Sequence, residues 1–366
     1  MESSYILKDS LIPLINYVTE NKFNLDILVP GSYTLMHIDL DQKALELTVD
    51  NLSEYNLRLL SSLDSVYRSK KLRLAIADML MLSGCLPPQG IDKLLDILLE
   101  KDTSDLRELA LCLDTNILFN RIFSQYVFPK ILKVERNLNI LISRQVEAEI
   151  GSNLLSEVRR VGNLPRTLEI LKEPEIKTFL KVYGVGAPSL EARRAAIAIH
   201  ELGLLEQQKK LIKIYRSSES ATSRLEPDFL IVSSCKKLAE ENSFKLLVLT
   251  MDDHTYTCAQ ILKCNALKLI PQANFPYRIE GVSLTNISEL IYVVTMILGF
   301  IRLRVGPEVL EIIGSWRGKS LKEWRLGRLL LRYPKFGILS KYIRKVLKAD
   351  SVLTALKVID QYVGSN

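Results

Sequence analysis

Between Leu109 and Ile270 short apolar runs alternate with amphipathic stretches, and this alternation restricts the fold more than any other feature of the chain. Leu109–Leu113 is a continuous apolar run closed by Asp114-Thr115-Asn116 and followed by an amphipathic stretch from Ile117 to about Leu132. The pattern recurs at Asn139–Ile142 with a helix from Arg144, and at Lys245–Leu249 with a helix from about Asp253 to Cys264. A last run, Ala266–Ile270, suits another strand. Short apolar strands separated by helices predict an α/β fold, a Rossmann-like parallel sheet covered on both faces. Ligands in such sheets bind beyond the carboxyl ends of the strands, where Asp114 falls.

At 366 residues the chain exceeds one ordinary core, so two or three domains are expected. Apolar residues at helical spacing, such as Leu59, Leu60 and Leu63, then Leu94, Leu95, Leu98 and Leu99, predict a helical N-terminal domain over 1–101, broken at Pro30-Gly31 and Pro87-Pro88. That domain reads as a packing module, for a second copy of the chain or a protein partner. The middle domain spans 105–279, with a charged helical insertion over about 160–224. Leu202, Leu204, Leu205 and Leu211 in it form a packing stripe. Residues 286–366 form a basic, mainly helical C-terminal segment, opening on an apolar stretch from Leu290 to Ile301 that is too short to cross a bilayer and reads as a buried helix.

Cys85, Cys112, Cys235, Cys258 and Cys264 show no paired spacing, and His37, His200 and His254 complete no zinc motif. Reduced thiols, the absence of a basic, apolar leader and the lack of a membrane span predict a cytoplasmic protein. No GxSxG elbow is present, and Gly314 precedes Gly318-Lys319-Ser320 by four residues where a phosphate-binding loop needs five, so a serine hydrolase and a nucleoside triphosphatase are not supported.

Four acids occupy strand ends or helix starts in the middle domain. Asp114 closes Leu111-Cys112-Leu113-Asp114, and Glu149 follows the run Ile142–Val146 and precedes Ile150. Asp228 opens an apolar helix in Pro227-Asp228-Phe229-Leu230-Ile231, and Asp252 ends Leu247-Val248-Leu249-Thr250-Met251-Asp252, with Asp253 as its near competitor. Each acid alone also has a capping explanation, since helix N-termini favour carboxylates.

In this order the four motifs resemble those of the PIN-domain nucleases, over about 170 residues from Leu109 to Ile279. The resemblance implies that Asp114, Glu149, Asp228 and Asp252 are catalytic and hold Mg²⁺ or Mn²⁺, with Asn116 and Thr250 orienting carboxylates or metal-bound water. Hard divalent ions take oxygen donors, and an ion removes the repulsion among gathered carboxylates. It implies hydrolysis of RNA, more readily internal than terminal. A DNA-directed enzyme, a toxin of the short PIN type and a scaffold that binds nucleic acid without turnover are the alternatives.

The formal charge is +7, and the stretch from Arg317 to Lys348 carries eleven Lys or Arg against the single acid Glu323. Trp316, Arg317, Lys319, Lys322, Arg325 and Arg328 are therefore read as candidates for binding single-stranded RNA or other nucleic acid, aromatic rings stacking on bases while cations follow phosphates. Two core tryptophans beneath a solvated basic face are the competing explanation.

Overall fold

The computed structural model describes residues 1–48, 61, 69–99, 108–134, 137–159, 171, 173–218, 226–272, 275–337 and 339–348. Leu59, Leu60, Leu63, Lys101 and the C-terminal segment beyond residue 348 lie outside the described residues. The first elements are β1 (Glu2–Leu7), α1 (Leu11–Glu20), β2 (Leu25–Val29), β3 (Tyr33–Asp39), β4 (Ala44–Leu47), α2 (Ser69–Leu82) and α3 (Ile91–Leu99). Next come β5 (Leu109–Leu113), α4 (Thr115–Phe119), α5 (Phe128–Val134), β6 (Leu138–Ile142), α6 (Arg144–Leu154), α7 (Glu173–Tyr183) and α8 (Leu190–Gln207). They are followed by β7 (Ile212–Arg216), α9 (Pro227–Glu241), β8 (Lys245–Thr250), α10 (Asp253–Ile261) and β9 (Asn265–Lys268). The chain continues through β10 (Arg278–Ile279), α11 (Leu284–Ile297), β11 (Phe300–Val305), β12 (Glu308–Ile313), α12 (Leu321–Arg325) and β13 (Arg328–Tyr333).

Two compact units emerge, both discontinuous in sequence: unit 1 is Met1–Ala75, Glu157–Leu190 and Pro276–Asn366, and unit 2 is Ile76–Ser156 and Glu191–Phe275. The domain limits drawn from sequence differ, because the segments at the two ends of the chain belong to one sheet.

Unit 2 is the expected α/β unit, a five-stranded parallel sheet in the order β7-β6-β5-β8-β9 flanked by helices. Every residue of β6, and all of β5 except Leu109, is buried, as a sheet covered on both faces requires. The core around it draws on α3, α4, α6, α8, α9 and α10. Successive strands run outward from β5 to β7, and the chain then returns to β8 on the other side of β5. The strand order thus reverses between β5 and β8, where such sheets open a crevice at their carboxyl end.

The helical insertion needs correction. Ile212–Arg216 is a strand, β7, paired in parallel with β6, and its alternation of apolar and charged residues marks a sheet edge. Part of the remainder, including α7, falls in unit 1.

Unit 1 overturns the helical readings of both ends of the chain. Its sheet has eight antiparallel strands in the order β1-β13-β12-β11-β2-β3-β4-β10. Two like halves make it up, β1-α1-β2-β3-β4 and β10-α11-β11-β12-β13. They meet at the β2/β11 pair, and each lends its first strand to the edge of the other half. The break at Pro30-Gly31 is a hairpin turn between β2 and β3, and Gly306-Pro307 serves the same place between β11 and β12. Leu290–Ile301 is only partly the expected buried helix: α11 is buried from Leu290 to Ile297, but Gly299, at φ +74°, ends it and Phe300 opens β11.

The register sorts the residues of this sheet. Ile6, Leu329, Leu331, Ile312, Leu310, Leu303, Ile27 and Ile38 share one face and are buried. Ser3, Tyr5, Arg332, Glu311, Arg302 and Asp26 share the other. There α7 supplies Glu175 to Arg302 (3.1 Å) and Thr178 to Glu311 (2.9 Å), so the buried polar groups Glu175, Thr178 and Glu311 each have a partner.

Candidate functional site

In unit 2 the acids gather at the carboxyl ends of β5 and β8 and on the neighbouring helices. Asp114 leaves β5 in extended conformation (φ −72°, ψ 155°), and its N–H donates to the Leu249 carbonyl, extending the β5/β8 ladder by one residue. It is 2% exposed. Burial raises its carboxyl to about 6, against the lowering effect of hydrogen bonds from Thr250, Asn116 and the Thr115 backbone, and the Asp228 charge raises it further. The Thr250 hydroxyl donates to Asp114 Oδ2 at 2.7 Å, and Asn116 Nδ2 reaches the same oxygen at 3.4 Å.

Thr250 also accepts the Asp252 N–H at 2.9 Å, tying the ends of the two strands together. Asp252 caps α10, its Oδ1 accepting the N–H groups of His254 (2.7 Å) and Thr255 (3.3 Å). Asp253, its competitor, points away: its side chain is 92% exposed and pairs with Lys268. Capping is worth about 1 kcal/mol when removed. We therefore expect Asp252→Ala to lose about that much in chemical denaturation and Asp252→Asn, which can still cap, to lose a few tenths; equal losses would deny the capping geometry.

Glu149 lies on α6 and accepts from Thr115 Oγ1 at 2.6 Å and from Gln145 Nε2 at 3.1 Å. Asp228 stands in the first turn of α9, behind Pro227, and its Oδ2 meets His254 Nδ1 at 2.8 Å. His254 Nε2 lies 3.3 Å from Glu226, and the imidazole is shifted toward its charged form, first by the hydrogen bond to Asp228 and then by Glu226. All four acids thus belong to one hydrogen-bonded neighbourhood: Asp114 and Asp252 share Thr250, Thr115 carries the link to Glu149, and His254 joins Asp228 to Asp252. Among the described residues, however, no three His, Cys, Asp or Glu side chains are arranged to hold a metal ion. Each carboxylate faces a protein donor.

Sequence reasoning missed Thr115, Gln145, His254 and Glu226. The hydroxyl of Thr115 beside Asp114 and the spacing of Gln145 and Glu149, one helical turn apart, were available signals. Nothing local marked His254, whose partner lies 26 positions away.

The basic segment departs from expectation. Trp316 is 5% and Trp324 4% exposed, so neither offers a face to a base. Lys319 is buried between them, its ammonium 4.5 Å from the Trp316 ring and 4.0 Å from the Trp324 ring. It donates at 2.6 Å to the carbonyls of Gly314 and Arg328, and burial holds its pKa well below the usual lysine value. Lys319 staples a loop and has no path to a phosphate. Arg317, Lys322 and Arg325 are exposed, and Arg328 is half-buried, 3.6 Å from Glu323.

No protein-family model and no curated protein matches the chain. Among solved structures it is similar to a domain of a functionally unknown protein from Methanocaldococcus jannaschii DSM 2661, at 18% identity and a TM-score of 0.28, over 46% of this chain and 96% of that one. No helix among the described residues is long and apolar enough to cross a membrane.

Proposed function

We propose that unit 2 is a PIN-type nuclease that hydrolyses phosphodiester bonds of RNA, internally and with Mg²⁺ or Mn²⁺, using Asp114, Glu149, Asp228 and Asp252. The observation that carries this reading is Asp114, a carboxyl buried at the switch point of a parallel sheet and raised further by the charge of a second acid from the same set. A chain gains nothing in stability from such a group, and a bound cation offsets its cost. The donors suit the cation, being all carboxylate oxygens with hydroxyl and amide groups behind them. When bound, the cation would lower the pKa of an attacking water and stabilise the leaving oxygen. Asp114 and Glu149 are already oriented by Thr250 and Thr115, whereas Asp228 must release His254 to become a ligand. RNA rests on the family resemblance, and a cytoplasmic place of action on cysteines without paired spacing.

The second reading is a nucleic-acid-binding scaffold without turnover. It is favoured by the protein donors that already satisfy each acid. Purified protein incubated with single-stranded RNA, duplex RNA and DNA, with Mg²⁺, Mn²⁺ or chelator, separates the two. Cation-dependent cleavage of RNA is the expected result, cleavage of DNA alone moves the reading to a DNA enzyme, and binding without cleavage favours the scaffold.

Cation binding has its own measurement. A ligand of the folded state alone adds about 2.7 kcal/mol at a hundred times its Kd, so Mn²⁺ is expected to raise the Tm. The shift should vanish in Asp228→Asn and Glu149→Gln; an undiminished shift in both would place the ion elsewhere.

A further inference from the structure

One surface of unit 1 combines an exposed aromatic ring with several cations, four of which form no ion pair among the described residues. Tyr5, on the edge strand β1, is 49% exposed and rests on buried Trp316, with ring centroids 5.6 Å apart. The Arg328 guanidinium stands 5.7 Å from the Tyr5 ring. The Lys181 ammonium, from the end of α7, lies 5.8 Å from the Trp316 ring, and the Arg317 N–H donates to the Lys181 carbonyl at 3.4 Å. Arg332 is close enough to add to the lowering of the Lys181 pKa, behind the effect of burial. The helix α12 follows directly and exposes Lys322 and Arg325.

Arg328 and Arg332 have acid partners, Glu323 and Glu311, each at 3.6 Å. Among the described residues Lys181, Arg317, Lys322 and Arg325 form no ion pair, and Glu157, which nears Gly186 beside Arg317, makes none with it. Surface cations ordinarily tolerate this, being well solvated. Here Lys181 and Arg317 lie beside Trp316, on which packs a half-exposed tyrosine with the Arg328 guanidinium over its ring. A polyanion alone would use the cations, but the ring adds a flat apolar face that suits an unpaired base.

We propose that Tyr5, Lys181, Arg317, Lys322 and Arg325 form a surface for single-stranded nucleic acid, Tyr5 stacking on a base while the cations follow the phosphates. It replaces the tryptophan platform expected from sequence, because both tryptophans are buried and Trp316 is the floor on which Tyr5 rests. The choice of partner rests on the nuclease reading; the cleavage chemistry does not enter.

The test measures binding by the full-length protein in chelator, where no turnover occurs, using a labelled single-stranded RNA of about 20 nucleotides, the matching duplex, and polyglutamate as competitor. Removing one cation from a phosphate of a single strand lowers the slope of log affinity against log salt by about 0.7. Changing Lys181, Arg317, Lys322 and Arg325 together to Ala is therefore expected to flatten the slope by up to about 3 and weaken binding at least tenfold. Tyr5→Ala is expected to weaken single-strand binding by several-fold to about a hundredfold at unchanged slope, with Tyr5→Phe restoring it. Lys322→Glu with Arg325→Glu, confined to the exposed face of α12, keeps the test valid if the fourfold variant unfolds, and must also weaken binding.

An unaltered slope and affinity in the charge variants overturns the proposal. So does displacement of RNA by polyglutamate together with indifference to Tyr5→Ala, which would mark a surface for an acidic protein. Cleavage assayed separately in Mn²⁺ keeps the two readings apart. Binding that needs these residues in a protein that does not cleave removes the nuclease and keeps the surface, and cleavage with unaltered binding in the variants does the reverse.

Discussion

Asp114→Asn is expected to abolish RNA cleavage and, in the absence of divalent cations, to make the protein more stable above neutral pH. The amide can still accept from the Thr250 hydroxyl, so the strand ends stay tied while the metal-binding charge is gone. The stability gain follows from linkage. Asp114 rises from 3.8 to about 6 in the folded protein, so between those values the folded state binds the proton that the unfolded chain has released. Wild-type stability in chelator should thus fall as pH rises from about 4 to about 6, by roughly 3 kcal/mol, and stay lowered above that. The Asn variant lacks this loss. Denaturation at pH 4 and pH 8 reads the effect directly: equal pH dependence in the two proteins would show that Asp114 carries no burial cost, and wild-type cleavage rates in Mn²⁺ would remove it from the site. Asp252→Asn is expected to lose cleavage as well, with little change in stability.

Lys319→Ala is expected to destabilise unit 1 by several kcal/mol and to leave the salt dependence of nucleic-acid binding unchanged. The substitution strips donors from the carbonyls of Gly314 and Arg328 and opens a cavity between two indoles. Truncating a long buried side chain costs about 2–5 kcal/mol, and a buried polar group left without its partner about 1–3 kcal/mol more. Lys319→Met restores most of the volume but not the donors, so it should recover part of the loss. Urea denaturation of the three proteins checks the order. A Lys319→Ala variant as stable as wild type, but with a flatter salt dependence of binding, would return this residue to the basic surface.

Strands β5, β6 and β8 were legible in the sequence because each is a short run buried within the sheet, and such runs are written in consecutive apolar residues. The acids at their ends were legible for the same reason: a strand end is a fixed place in an α/β unit. Strand β7 was not, since Ile212-Lys213-Ile214-Tyr215-Arg216 lies at the sheet edge between charged stretches. In unit 1 the strands hid behind apolar spacing that helices also produce, and Gly299 was the one local sign that α11 had ended.

The sequence by itself determined the parallel sheet of unit 2, the order in which four acids reach its carboxyl edge, and the excess of cations near the C-terminus. These are properties of neighbouring residues, fixed by period, burial and charge. Only the tertiary structure decided that β1 and β13, about 330 residues apart, are paired strands. It alone put His254 on Asp228, buried Trp316 and Lys319, and left Tyr5 exposed beside Trp316. Those outcomes depend on which distant surfaces meet. A side chain's partner across a sheet or between helices is set by register and packing, which no local pattern of residues contains.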